Sequence, residues 1–202
     1  MDEELLSTLS PHLYDGRPSS YHYTKALAEN LLVKERSKFP IAIVRPSIIT
    51  AAWKEPIPGW LDNYNGPTGY FVVSGKGILR SMVVKKENIC DMIPVDVVVN
   101  TCIVSAVSVA SQSPSSSSSS SSGGQCTVYN CTSGSSNPIS WGRIKEISEP
   151  LLIKYPSMEM FRYPGSRFHS SKLFHELNVL IEHTIPANLV DFLFRITGHK
   201  PM

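Results

Sequence analysis

The chain has 202 residues, of which 19 are basic and 17 acidic, so its formal net charge at pH 7 is only +2. A charge this small excludes nucleic-acid binding driven by a strongly positive surface. No stretch of 18 consecutive apolar residues occurs, and the acidic start Asp2-Glu3-Glu4 differs from the basic and then apolar start of a secretory signal. Four cysteines without a C-x-x-C pair are typical of a reduced protein. The composition therefore predicts a soluble, globular, intracellular protein.

The first 50 residues predict two helices and a strand. Residues 5–9 carry a short helical pattern, and a longer helix rich in alanine and leucine begins near Tyr21 and ends before Pro40. The run Ile41–Val44 is short, apolar and β-branched, which is typical of a buried parallel strand. We expect this strand to end before Pro46, because proline cannot continue a central ladder.

The middle of the chain combines a long loop with short regular elements. Trp53–Pro67 is rich in Pro, Gly, Trp and Asn, and a loop of this length and aromatic content favours a functional role. Tyr70–Ser74 is a candidate strand, and Pro94 marks the end of another strand. Val97–Ala110 predicts a buried helix capped by Asp96.

A low-complexity tract separates these elements from the last third of the chain. Ser113–Gly124 consists almost entirely of serine and glycine, cannot bury apolar surface, and predicts a flexible surface loop. Beyond it, Cys126–Asn130 predicts a strand and Ile139–Tyr155 a helix, and the remainder is amphipathic and partly helical, most apolar in residues 178–185 and 189–196. This alternation of strands and helices predicts an α/β layer architecture.

Tyr21 and Lys25 are the residues whose spacing has the clearest chemical use. Four residues apart on a helix, they project from one face. A phenol, with a reference pKa of about 10, is a poor acid near neutrality. A neighbouring ammonium favours the phenolate and makes a tyrosine a better proton donor for a developing alkoxide. The spacing alone also fits an exposed aromatic ring and a solvated lysine on a surface helix.

A series of motifs gives this pair its context. In chain order they are Y-H-Y-T-K-A-L-A-E from Tyr21, I-V-R-P-S-I-I from Ile43, W-K-E-P-I-P-G-W-L-D-N from Trp53, N-G-P from Asn65, G-K-G from Gly75, D-M-I-P-V-D-V-V-V-N from Asp91 and Y-N-C-T-S from Tyr129. The series resembles the fatty acyl-CoA reductases of eukaryotes, a branch of the extended short-chain dehydrogenase/reductase superfamily related to the plant male-sterility proteins. The resemblance covers nearly the whole chain, and the E-P-x-P-G-W-x-D-N block is its most specific part.

The resemblance implies an α/β fold, namely the C-terminal portion of an extended Rossmann-type, doubly wound domain with a mixed α/β substrate-binding part. The N-terminal nucleotide-binding half is expected to be absent. Residues 1–110 would hold the catalytic part and the substrate loop, and residues 111–124 the serine-rich flexible insertion. Residues 125–202 would complete the substrate-binding part and lead into a truncated C-terminal helical region.

The resemblance also assigns roles to individual residues. Tyr21 is the expected catalytic acid, and Lys25 is its partner; both would contact the cofactor, NADPH, with Lys25 holding the ribose. Pro46, Ser47 and Ile48 match the stretch that lies along the nicotinamide, where backbone groups fix the face of the ring.

Other residues keep more than one interpretation. Trp53 and Trp60 fit either core packing or contact with an acyl chain. Lys76 fits either a phosphate contact or, better, a solvated loop lysine. Asp96 and Pro94 are interpreted as structural. The six histidines, including His169 and His175, lack the spacing of metal ligands, so no metal site is predicted.

The resemblance implies reduction of a long-chain fatty acyl-CoA to a primary alcohol through an aldehyde, with NADPH as reductant. Two alternatives stay open: a thioester reductase that stops at the aldehyde, and an incomplete, inactive fragment. The second is motivated by the 12 glycines, which never form G-x-G-x-x-G. Ser7 and Ser10 are not assigned the catalytic hydroxyl role of the superfamily. Because the glycine-rich turn is missing, we expect the chain alone to bind NADPH weakly or not at all.

The expected partner is the fatty acyl-CoA substrate, with no nucleic acid. The resemblance implies an intracellular parent protein associated with the endoplasmic reticulum or peroxisomal membrane on its cytosolic side. The sequence does not determine the oligomeric state or the preferred acyl chain length.

Overall fold

The computed structural model describes residues 14, 16–111, 126–198 and 200. The helical pattern predicted in residues 5–9 and the serine tract lie outside the described residues. The helices are α1 (Ser20–Glu35), α2 (Pro67–Gly75), α3 (Val95–Ser111), α4 (Trp141–Lys154), α5 (Lys172–Val179) and α6 (Ile185–Ile196), with a π-helical segment at Leu180–Thr184. The strands are β1 (Ile41–Pro46), β2 (Ile48–Thr50), β3 (Ser81–Val83), β4 (Met92–Pro94), β5 (Cys126–Cys131) and β6 (Arg167–His169).

The described strands associate in pairs and give a mixed α/β fold. Strand β2 runs parallel to β4 with Ile48 opposite Met92, and β3 runs parallel to β6 with Ser81 opposite Arg167. Strand β1 pairs with β5. Parallel neighbours require long crossover connections, and the segments between β2 and β4 and between β3 and β6 contain helices that serve this purpose.

The chain divides into two compact units. The first comprises the described residues of Met1–Arg45 and Val99–Cys131, and the second those of Pro46–Val98 and Thr132–Met202. In the first unit, Ile41 and Ile43 alternate with more exposed neighbours along β1 and are buried, as is Cys131 on β5. In the second unit the most buried apolar side chains are those of Ala52, Cys90, Ile93, Val98 and Ile144.

Five predicted elements are confirmed. The helix near Tyr21 is α1, the strand at Ile41–Val44 is β1, the strand that ends at Pro94 is β4, and the elements after the serine tract are β5 and α4. Strand β1 extends through Pro46 rather than ending before it. Proline is tolerated there because the terminal residue of a strand can dispense with a ladder N–H donor.

The predicted strand at Tyr70–Ser74 is wrong, because these residues belong to helix α2. Pro67 occupies the first turn of this helix, where its fixed φ is helical and its missing N–H costs nothing. An apolar run of five residues cannot be assigned to a helix or a strand by periodicity alone. The N-terminal proline was the signal that favoured a helix.

Helix α3 also differs from its prediction in two respects. It begins at Val95, so Asp96 lies within its first turn instead of capping it. It is not a buried helix: Val98, Ser105 and Val109 are buried, whereas Ile103, Val104 and Val107 are exposed. Burial is confined to a narrow stripe although the helix is apolar on nearly all sides, a pattern more typical of a fully buried helix. Among the described residues, no helix combines the length and apolar character that crossing a bilayer requires.

Candidate active site

Tyr21 and Lys25 lie on helix α1, in the first unit. The Tyr21 side chain is 65% exposed, and the Lys25 Nζ atom lies 5.7 Å from the centroid of the Tyr21 ring. The His22 ring packs edge-on against Tyr21, with 5.6 Å between the ring centroids. The helix therefore presents a phenol and an ammonium together on an open surface.

An ion pair links α1 to the end of strand β1. The Arg45 Nε atom donates to Glu29 Oε1 at 2.9 Å, and Arg45 Nη2 donates to Glu29 Oε2, so the contact is bidentate. The hydrogen bond from Arg45 lowers the pKa of the Glu29 carboxyl, and the pair raises the pKa of Arg45 in turn. Because Glu29 stands one helical turn beyond Lys25, this contact holds the Tyr–Lys face relative to the strand.

Sequence reasoning missed this pair. The available signal was a glutamate four residues after Lys25 together with an arginine directly after the apolar run Ile41–Val44. The spacing placed Glu29 on the Tyr–Lys face, but nothing in one sequence brought Arg45 to that face.

Pro46 is the last residue of β1, Ser47 connects the two strands and Ile48 is the first residue of β2, so all three lie at the start of the second unit. The Ser47 Oγ atom donates to Asp91 Oδ1 at 2.8 Å, and the Ile48 amide donates to the Asp91 carbonyl oxygen at 3.1 Å. Asp91 accepts both hydrogen bonds and therefore fixes the orientation of the Ser47–Ile48 segment.

Asp91 collects further donors from the segment after β5. The Ser133 amide and hydroxyl lie 2.8 Å and 3.0 Å from Asp91 Oδ1. A Cβ atom added to Gly134 would lie 2.8 Å from Asp91 Oδ2, so the backbone approaches the carboxylate closely. The amide of Ser133, followed by the hydroxyl of Ser47, holds the pKa of Asp91 below its ordinary value. Asp91 begins the D-M-I-P-V-D motif, but the sequence pattern alone did not predict its role.

Asp96 holds the beginning of the Trp53–Pro67 loop. Its Oδ1 atom accepts from the amide of Trp53 at 3.1 Å, and Oδ2 accepts from the amides of Lys54 at 2.9 Å and Glu55 at 3.2 Å. These backbone donors, led by Lys54, lower the pKa of Asp96 to about 2. Asp96 is structural, as predicted: it binds a distant loop, and its Oδ1 atom also accepts from the amide of Val97, 3.1 Å away in the first turn of its own helix.

The two loop tryptophans are exposed. Trp53 retains 63% and Trp60 53% of its accessible surface, and Lys54 Nζ lies 4.1 Å from the Trp53 ring centroid. Core packing is therefore wrong for both residues. Contact with an acyl chain stays a prediction.

A large groove lies within the second unit. It has a volume of about 1150 Å³ and is lined by the end of the Trp53–Pro67 loop, helix α2, the end of α4 and residues 155–159. Its apolar lining includes Leu61, Pro67, Phe71, Val72, Val73, Leu152 and Met158. Lys76 and Glu159 also line it and form an ion pair that raises the pKa of Lys76 and lowers that of Glu159. Lys76 is thus paired, rather than simply solvated.

Another polar contact lies in the second unit. Ser81 Oγ and His175 Nδ1 are 2.7 Å apart, with Ser81 buried. Among the residues that the structure describes, no three His, Cys, Asp or Glu side chains come close enough to hold a metal ion.

Comparison with known proteins defines the class first. A model of an NAD-binding family described as "Male sterility protein" matches residues 1–102, just over half of the chain. With the parallel strand pairs, this match places the chain among NAD-binding α/β proteins of Rossmann type.

The particular family follows from the relatives. The chain is 43% identical to Fatty acyl-CoA reductase 1 of Rattus norvegicus, 40% identical to that of Homo sapiens and 37% identical to Fatty acyl-CoA reductase 2 of Mus musculus, each over 201 residues. These alignments cover the whole of this chain and only 37% of each relative's length. The chain belongs to the fatty acyl-CoA reductase family, which confirms the resemblance of its motifs.

Proposed function

We propose that this chain carries the catalytic Tyr–Lys pair of an NADPH-dependent reductase that converts long-chain fatty acyl-CoA into primary alcohol through the aldehyde. The observation that carries the proposal is the exposed Tyr21 phenol with the Lys25 ammonium 5.7 Å from its ring. Membership of the fatty acyl-CoA reductase family supports the reaction class.

The donors on this helix fit a nicotinamide cofactor. Within the described part of the chain Lys25 makes no ion pair, so its ammonium can donate to the hydroxyls of a ribose. NADPH, when bound, supplies one hydride to the thioester and one to the aldehyde. We propose NADPH rather than NADH because the family resemblance implies it.

Tyr21 is the proton donor in both reductions. In the first, the carbonyl carbon of the thioester gains a hydride, and its oxygen takes the Tyr21 proton. The resulting hemithioacetal loses the CoA thiol and leaves the aldehyde. In the second, the aldehyde carbon gains a hydride and its oxygen again takes a proton from Tyr21, which gives the alcohol. Lys25 stabilises the phenolate left after each transfer until solvent returns the proton.

The remaining parts of the site follow the same proposal. We assign Pro46, Ser47 and Ile48 to the segment along the nicotinamide, supported by the way Asp91 holds Ser47 and Ile48 from one side. The fold would then be the C-terminal portion of an extended Rossmann domain. The parent enzyme would work at the endoplasmic reticulum or peroxisomal membrane, facing the cytosol.

The test is the Tyr21→Phe variant in the complete gene product, assayed with palmitoyl-CoA and NADPH. Loss of the proton donor should reduce alcohol formation by about 10²–10⁴-fold. Tyr23→Phe is the matched control, because Tyr23 lies on the same helix and packs its ring 5.9 Å from that of Tyr14. Undiminished alcohol formation by Tyr21→Phe would refute the assignment. Accumulation of aldehyde by the unmodified enzyme would instead identify a thioester reductase.

A further inference from the structure

The groove has an apolar neighbour within the same unit. This side pocket has a volume of about 340 Å³. It is lined by Phe71, Met92, Ile139, Ile144, Ile147, Ser148, Leu151 and Leu152. Phe71 and Leu152 line both spaces, so their side chains form the wall between the groove and the side pocket.

We propose that the groove binds the acyl chain of the thioester and that the Phe71–Leu152 wall sets the longest chain that it accommodates. The inference rests on the proposed function for the identity of the ligand. It adds the place of the acyl chain and the two residues that determine chain-length specificity.

The chemistry of the groove fits a long amphiphile. Its volume of about 1150 Å³ slightly exceeds the ~300–1,000 Å³ typical of small-molecule sites. Its lining is mainly aliphatic and aromatic, which suits methylene groups, since each one buried contributes about 0.8 kcal/mol. The charged Lys76–Glu159 pair, with Glu159 largely exposed, lies on a side of the groove that is open to solvent. A polar head group can stay hydrated there while its tail lies against the apolar lining.

Packing holds the wall in place. A Cβ atom added to Gly75 would lie 3.1 Å from Leu152 Cδ2, so Leu152 packs directly on the backbone of α2. The Phe71 ring stands edge-on to Tyr70, with 5.2 Å between the centroids. Each side chain thus rests on a neighbouring part of the protein, and truncating it is the direct way to open the wall.

Two truncations test the wall. Phe71→Ala and Leu152→Ala each remove part of it and should join the side pocket to the groove. Binding of saturated acyl-CoAs of increasing length, below their micelle concentrations and without NADPH, is measured by calorimetry on the complete gene product. Affinity should rise about fourfold per methylene until the chain meets the wall, and then level off. In both variants the rise should continue for several more carbons.

The control is Ile153→Ala, on the same helix as Leu152 but exposed and lining neither space. The affinity of this variant should level off at the same acyl chain length as that of the unmodified protein. Thermal melting monitors folding, and Phe71→Leu, which keeps most of the packing, should give a smaller shift in the same direction if Phe71→Ala is unstable.

If the chain length at which affinity levels off is unchanged in Phe71→Leu and Leu152→Ala, the proposed role of the wall is refuted. If affinity does not depend on chain length in the unmodified protein, the groove is not the acyl site. Both results are independent of turnover, so they are distinguishable from a failure of the proposed function, which would appear as absent reduction with chain-length-dependent binding intact.

Discussion

Gly77, next to the groove residue Lys76, provides the sharpest test of a close backbone contact in the second unit. It has a φ of +70°, and a Cβ atom placed there would lie 2.0 Å from the Arg162 carbonyl oxygen. Ordinary contacts begin near 3.4 Å, so Gly77→Ala must push residue 162 away. The segment of residues 161–162 is also hydrogen-bonded to Lys76, whose carbonyl oxygen accepts from the amides of Phe161 at 2.9 Å and Arg162 at 3.3 Å. The displacement would therefore break both bonds.

The expected cost follows from these contacts. A left-handed conformation costs alanine about 1–2 kcal/mol, and each lost backbone hydrogen bond costs about 1 kcal/mol. We expect Gly77→Ala to lower the free energy of unfolding by about 3–4 kcal/mol. Gly59→Ala is the matched control, because Gly59 has a φ of +79° with no atom within 4 Å of the added Cβ. It should cost only the conformational part, about 1–2 kcal/mol.

The assay is urea unfolding followed by tryptophan fluorescence. All three tryptophans, at positions 53, 60 and 141, lie in the unit that contains both glycines, so the signal reports that unit. Equal destabilisation by the two variants would refute the reasoning, because it would show that the contact with Arg162 has no energetic consequence.

Two further predictions concern the carboxylates that hold the site. Because the pKa of Asp96 is lowered to about 2, its bonds to the loop stabilise the folded state above about pH 4 and are lost as the pH falls towards 2. Asp96→Asn should flatten melting temperature against pH across that window, and parallel curves for variant and unmodified protein would contradict this. Arg45→Lys keeps the charge but loses the bidentate contact with Glu29, so alcohol formation should fall while the melting temperature changes little; Lys38→Arg, in an exposed pair with Glu35, is the control. Unchanged activity in Arg45→Lys would show that the pair does not position Tyr21.

The elements that could be predicted from the sequence are those with a strong local signal. Ile41–Val44 is β-branched and bounded by prolines, and α1 is rich in alanine and leucine, so local preference and the structure agree. The prediction of a strand in place of α2 was wrong because the apolar run is too short for periodicity to distinguish a helix from a strand. There the capping position of Pro67 carried more information than the run itself.

The site was only partly predictable, for a physical reason. Tyr21 and Lys25 are four residues apart, and their common face follows from helix geometry alone. The groove brings the 61–64 loop together with residues 155–159, almost a hundred positions away, and no local pattern encodes such a contact. Gly75-Lys76-Gly77 shows the same limit. Its glycines permit close approach of Leu152 and Arg162, a packing role that the sequence pattern alone could not distinguish from a phosphate contact.

The D-M-I-P-V-D motif acquires a single explanation from the structure. Its first aspartate precedes β4 and binds the segment of Ser47 and Ile48, and its last follows β4 and binds the start of the Trp53–Pro67 loop. The two aspartates stand at either end of β4, a three-residue strand that also pairs with β2. Both bound segments are therefore held by the same strand. A carboxylate is required at each end because several amide or hydroxyl donors converge on it, and an ionised group accepts them all. One short motif thus fixes the spacing between the segment that we assign to the nicotinamide and the loop that leads to the groove.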